Sequence, residues 1–229
     1  MIWLIVAILA VAGSMVALQR GWGKGAFFGR LVFYFALGVW MWAEAGPQAF
    51  RGSETGLLGW LIIGLALFAL GDGLGYLTGG PSTWSFAAAA LAALAFALGF
   101  DILRPDEYAL VPGVLLALLV ASVAVRAYLQ MTGRKGGKGS NRVWLGMYMA
   151  AIAVMVFAGV FKMIDRGWAL PWAYLAGGGA LSYAAGQLWL GGERVLGKQT
   201  VPAWVQVGAL NLGQVMMVVA ALFVYREFL

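Results

Sequence analysis

The stretch LALFALGDGLGYL, residues 65 to 77, puts one carboxylate, Asp72, inside an apolar helical run. A carboxyl group in such a place can donate a proton, relay one, or fasten two helices. Its cost in hydrocarbon directs it toward a bundle interior or a water-filled cavity. Gln187 holds the matching place in ALSYAAGQLWLGG, residues 180 to 192. A neutral amide can orient water there but cannot act as a base at neutral pH. Asn211 and Gln214 lie one turn apart in a third apolar run, and Arg30 and Arg194 are basic residues toward the same membrane face. In one reading Asp72, Gln187, Asn211 and Gln214 line a polar cavity open to that face, with Arg30, Arg194, Tyr76 and Tyr183 as further site candidates around it. A second reading of the same residues stays open: Asp72, Asn211 and the glutamines as hydrogen-bonding links between helices.

Residues three and four apart share a helical face, so Phe68, Gly71, Gly75 and Tyr76 flank Asp72. Gly71 and Gly75 make a small-xxx-small pair that lets another helix approach closely. Around Gln187 the same positions read Tyr183, Gly186 and Leu190, with Ser182 and Gly179 below. The two segments suggest a parallel repeat of four helices plus four, with Asp72 and Gln187 at equal depth and facing each other across a pocket.

The elements that must position these residues are membrane spans. The chain has 229 residues, 63% hydrophobic and 10% charged, too apolar for a soluble domain of this length. The composition predicts an all-α polytopic membrane protein forming a single transmembrane domain over 1–229. Eight helices are expected, at 2–18, 26–42, 56–77, 84–100, 108–129, 143–163, 170–190 and 202–225. The two-residue alternation of a membrane barrel is missing from these runs. All eleven tryptophans fall near proposed helix ends, as in interfacial belts. Residues 7–13, AILAVAG, are read as part of a retained first span, since no basic residue precedes them.

Charge sets the orientation. Arg20, Lys24, Arg30, Arg126, Arg134, Lys135, Lys138, Arg142, Arg194 and Lys198 fall on the side reached after the first helix, whereas Arg51, Arg104, Lys162, Arg166 and Arg226 fall on the other. The richer side should be cytoplasmic, with both termini outside a bacterial cell (inner) membrane. The net charge of +6 then reads as basic loops on anionic lipid rather than as a nucleic-acid surface. GRKGGKGSNR, 133–142, is the one hydrophilic loop expected. Cysteine and histidine are both absent. That removes thiolate chemistry, His-based triads, and zinc or haem ligation by these residues. No metal or cofactor is expected.

In these motifs the chain resembles the YhhN, or lysoplasmalogenase, family of eight-helix membrane proteins. Gly71-Asp72 matches the Gly-Asp of the family's third span. Gly186-Gln187 stands where the seventh span carries Ser-Asp, with Arg194 at the basic position after it. Gln214 matches the Gln of a Tyr-x-x-x-Gln pattern, with Leu210 in place of the Tyr, and Ala90 falls where the family has a His. The resemblance implies hydrolysis of the vinyl ether of lysoplasmalogen-like lysolipids. Asp72 would protonate the enol-ether carbon, Gln187 and Gln214 would position water or the glycerol moiety, and Arg30 or Arg194 would bind the headgroup phosphate. Two other functions remain open beside it. One is a non-catalytic relative that binds or moves a lipid, and the other is a small transporter with Asp72 as its proton-linked residue. Membrane lipids, and a lysolipid substrate or ligand, are the expected partners.

Overall fold

The computed structural model describes residues 2–50, 56–79, 82–101, 109–133, 139–164, 168–196 and 201–226. Among them are eight α-helices and no strand: α1 (Ile2–Gln19), α2 (Gly23–Ala45), α3 (Gly56–Leu77), α4 (Thr83–Gly99), α5 (Leu110–Gly133), α6 (Gly139–Phe161), α7 (Leu170–Leu196) and α8 (Ala203–Arg226). A 3₁₀ turn over Gly46–Phe50 continues α2. The chain is a polytopic all-α membrane protein. Six of the helices have at least 18 residues and are apolar enough to cross a bilayer. Helix α4 is equally apolar at 17 residues, or about 25 Å. Helix α7 is diluted by its glycines, Ser182, Tyr183 and Gln187.

Local chemistry ends and starts the helices where the connections are short. Gly21 takes φ 72°, and the Trp22 N–H bonds back to the Ala17 carbonyl at 2.7 Å, closing α1 with a left-handed residue that glycine adopts without strain. Gly79 does the same after α3, at φ 69°. Ser82 caps α4 through a reciprocal box with Ser85: the Ser85 N–H donates to Ser82 Oγ at 3.2 Å and the Ser82 N–H donates to Ser85 Oγ at 2.8 Å.

The expected loop at 133–142 is shorter than hydropathy indicated. Helix α5 runs on through Gly133 and α6 begins at Gly139, so residues 134–138 alone, which lie outside the described residues, separate them. Likewise α7 continues past Leu190 to Leu196. An apolar run marks the hydrocarbon core, whereas intrahelical hydrogen bonds persist into interfacial water through good helix formers such as Gln130, Met131, Glu193 and Arg194. Two tryptophans also depart from the interfacial pattern. Trp40 and Trp168 are buried, Trp40 donating to Glu44 Oε1 at 3.1 Å and Trp168 meeting Phe100 and Tyr225 edge-on.

Small residues set the helix pairs. On α3, Gly64 lies against Ala92 and Phe96 of α4, and Gly71 against Ser85, Ala88 and Ala89. On α7, Gly179 lies against Gly213, Met216 and Met217 of α8, and Gly186 against Gln206 and Leu210. In each pair the glycines are two turns apart on an outgoing helix and press on the next helix at corresponding positions. Phe68 and Tyr183, one turn below Asp72 and Gln187, touch each other with ring centroids 5.3 Å apart. Helix α4 also packs along α6, and α2 meets α8, the counterpart of that contact. The halves differ at their edges. Helix α1 lies closely along α2, while α5 touches α6 and α7 only along one side and leaves most of its apolar side chains exposed.

These approaches give a first prediction. A Cβ on Gly213 would stand 2.5 Å from the Gly179 carbonyl oxygen and 2.7 Å from the Tyr183 nitrogen, both backbone atoms. Gly213→Ala should therefore force α7 and α8 apart and cost about 1–3 kcal/mol. Gly73→Ala meets nothing within 4 Å and should be neutral or stabilising. Thermal unfolding of the detergent-solubilised protein checks both, and equal effects would contradict the packing.

Candidate functional site

Arg30 and Tyr34 are one turn apart on α2, so both reach the same face of α3. There they meet Asp72. Arg30 Nη2 is 2.7 Å from Asp72 Oδ2, the Tyr34 hydroxyl donates to that same oxygen at 2.9 Å, and Arg30 Nη2 donates to the Tyr34 hydroxyl at 3.0 Å. Three groups thus close a triangle between two helices. Tyr34 is buried, and the Arg30 and Asp72 side chains are 23% and 24% exposed. The cluster carries one positive and one negative charge. Both contacts to Oδ2 come from donors, so this oxygen acts as an acceptor and is not placed to give up a proton.

Gln187 belongs to a second cluster. Its Nε2 donates to the Tyr183 hydroxyl at 3.1 Å, and that hydroxyl lies 3.3 Å from the hydroxyl of Tyr148 on α6. Tyr34, Phe68 and Asp72 in one half correspond to Tyr148, Tyr183 and Gln187 in the other. The Tyr34 and Phe68 rings stack at 6.3 Å, and Phe68 continues the contact to Tyr183. An aromatic bridge therefore joins the two clusters.

Among the described residues, Asp72 and Gln187 belong to separate clusters, Asp72 being held by Arg30 and Tyr34 of α2. Gln187 instead lines a groove of about 460 Å³ between α5, α6 and α7, whose wall includes Val120, Ile152, Val156, Ala184 and Leu188 and no residue of α3. The reason is rotational. Asp72 turns toward α2 and Gln187 toward the groove beside α5 and α6. Equal depth in sequence says nothing of azimuth.

The remaining candidates divide. Asn211 and Gln214 are both buried on α8, at 0% and 1% exposure. Asn211 Oδ1 and Nδ2, Gln214 Oε1 and Arg30 Nε are buried atoms with no hydrogen-bond partner. Ser182 donates to the Ala209 carbonyl at 2.9 Å, tying α7 to α8 beside them. Tyr76 is exposed at the rim and stacks on Phe27, centroids 4.2 Å apart. The side chain of Arg194 lies outside the described residues.

Tyr34 and Tyr148 are site residues that the sequence reading passed over. The signal for Tyr34 was its place four residues after Arg30, which makes any partner of Arg30 a partner of Tyr34 too. Tyr148 had no such neighbour to reveal it. At the opposite end of the bundle Glu44 of α2 pairs with Arg226 of α8, so α2 is tied by ion pairs at both ends. No protein-family model, curated protein or solved structure matches the chain.

Proposed function

We propose that this membrane protein binds a single-chain lipid, with the hydrocarbon chain in the groove between α5, α6 and α7. The groove carries the reading. It lies in the membrane-spanning part of the bundle, and its volume is in the range of small-molecule sites. Among the described residues Gln187 is its one polar lining residue, which fits an occupant that is apolar along its length and polar at one end. The loose seating of α5 gives a lateral way in from the bilayer. Mass spectrometry of lipids that co-purify with the full chain is the test: single-chain lipids should be enriched over their share of the membrane, and their absence would overturn the reading.

Hydrolysis of a vinyl ether is the second reading, and the motif Gly71-Asp72 favours it. It needs Asp72 to carry a proton, which requires the substrate to draw Arg30 away. A phosphate on Arg30 would do so. Release of fatty aldehyde from a lysoplasmalogen, abolished by Asp72→Asn, would support this reading, and no release from the wild type would remove it.

The charge asymmetry supports a further proposal, that the positive-rich ends face the cytoplasm of a bacterial inner membrane and both termini lie outside. The wild type has no cysteine, so a single one at Ser140 reports cleanly. It should resist an impermeant thiol reagent in intact cells and react after permeabilisation. Reaction in intact cells would reverse the orientation.

A further inference from the structure

The apolar window of α5, Leu110–Leu129, is 6% buried, the lowest share among the six spans, so its outer face meets lipid directly. Leu118, Ala121, Ser122, Val125, Arg126 and Leu129 are spaced as one helical stripe. All six are exposed, and together they line a shallow depression on that face. Small side chains make it: Ala121 and Ser122 leave room between Leu118 below and Leu129 above. Ser122 Oγ donates to the Leu119 carbonyl at 2.7 Å, so its proton is satisfied without a partner from outside. Arg126 is the one charged residue of α5. It falls inside the apolar window, three residues before the end at Leu129. Among the described residues it has neither an ion pair nor a hydrogen bond. An arginine so placed extends its guanidinium along the helix to the interface, where lipid phosphate lies.

We infer that this depression binds an anionic phospholipid of the bilayer, its phosphate on Arg126 and one acyl chain along Val125, Ser122, Ala121 and Leu118. The site shares no residue with the groove between α5, α6 and α7 and does not depend on the lipid proposed there. Lengths agree: from Arg126 to Leu118 is about 12 Å along the axis, most of the hydrocarbon depth of one leaflet. A guanidinium matches phosphate oxygens with paired N–H groups. Charge selects the lipid. With no carboxylate paired to Arg126 among the described residues, the site carries net positive charge. An anionic headgroup cancels it, whereas a zwitterionic one brings an ammonium that Arg126 repels. The same charge argues against a second copy of the chain. A two-fold contact between copies in one membrane, centred on this stripe, would set Arg126 against Arg126 in a medium of low dielectric.

The test uses single cysteines labelled with bimane, which the cysteine-free wild type allows. Leu118→Cys puts the label at the deep end of the depression, and Ile8→Cys puts it on the exposed face of α1 as a control. The full chain is placed in vesicles of phosphatidylcholine with a minority of phosphatidylglycerol, and the acyl chains of one lipid or the other are brominated to quench the label. At Leu118→Cys the quenching should report phosphatidylglycerol enriched about fivefold over its share of the vesicle. At Ile8→Cys it should match that share. Arg126→Gln should abolish the enrichment. Ser122→Leu, which fills the depression and leaves the charge in place, should at least halve it. Equal quenching at the two labelled positions would overturn the site, as would an enrichment that survives Arg126→Gln. Enrichment lost with Arg126→Gln but untouched by Ser122→Leu would also overturn it, leaving a surface charge with no seat for the chain. A label at Leu118→Cys shielded from both lipids would reassign the face to a second copy of the chain.

Discussion

Asp72→Asn should destabilise the protein by about 3 kcal/mol, while Arg30→Met combined with Asp72→Leu should cost little. The ion pair between α2 and α3 is three-quarters buried, and its partners are 2.7 Å apart. Removing one charge from a buried pair strands the other, at about 3–5 kcal/mol for a fully enclosed pair. The residual exposure places this one at the low end. Removing both charges replaces two desolvated ions with apolar surface, which is often neutral or stabilising. Tyr34→Phe should cost less than Asp72→Asn, about 1–2 kcal/mol, because it removes the hydrogen bond to Asp72 and the one accepted from Arg30 but leaves the ion pair intact. Unfolding of the three variants in one detergent decides the matter. An Asp72→Asn protein as stable as the wild type would mean that the carboxyl group does not hold Arg30, and would return it to the role of proton donor.

If the groove holds a lipid chain as proposed, Ala184→Trp should abolish its capture without disturbing the ion pair. Ala184 sits on the α7 wall of the groove, opposite α5, and an indole there occupies much of the space open to a chain. The ring is tolerated because α5 is held along one side and can shift outward. Ala153→Trp fills the groove from α6 and should act alike. Leu212→Trp is the control, since Leu212 is 55% exposed on α8 and lines no part of the groove. Loss of binding in the two groove variants should exceed a hundredfold, because a chain denied its pocket loses most of its buried apolar area. Equal binding by all three would place the lipid elsewhere.

Hydropathy made the fold legible. Every apolar run became a helix, and the boundary errors fell at the ends, where helical hydrogen bonding outlasts the hydrocarbon core. The likeness of the two segments was readable in Gly71-Asp72 and Gly186-Gln187, with Gly64 and Gly179 two turns below, and in the structure all four glycines press on the following helix. The site was harder. Depth is readable because it follows from position along a span, so Arg30, Asp72, Gln187, Asn211 and Gln214 were assigned to one end together. Rotation about the helix axis is set by partners distant in sequence. That is why Asp72 was turned toward Gln187 when it pairs with Arg30, and why Tyr34 and Tyr148 escaped notice. The apolar groove left no mark at all, since Val120, Ile152 and Ala184 look like any lipid-facing residues until α5 is seen to stand partly away from α6 and α7.

The most direct measurement is native mass spectrometry of the wild type and Ala184→Trp, purified in parallel from the same membranes. The account predicts a single-chain lipid bound at one per chain to the wild type and missing from Ala184→Trp. A wild type free of lipid, or the same lipid retained by both proteins, would contradict it.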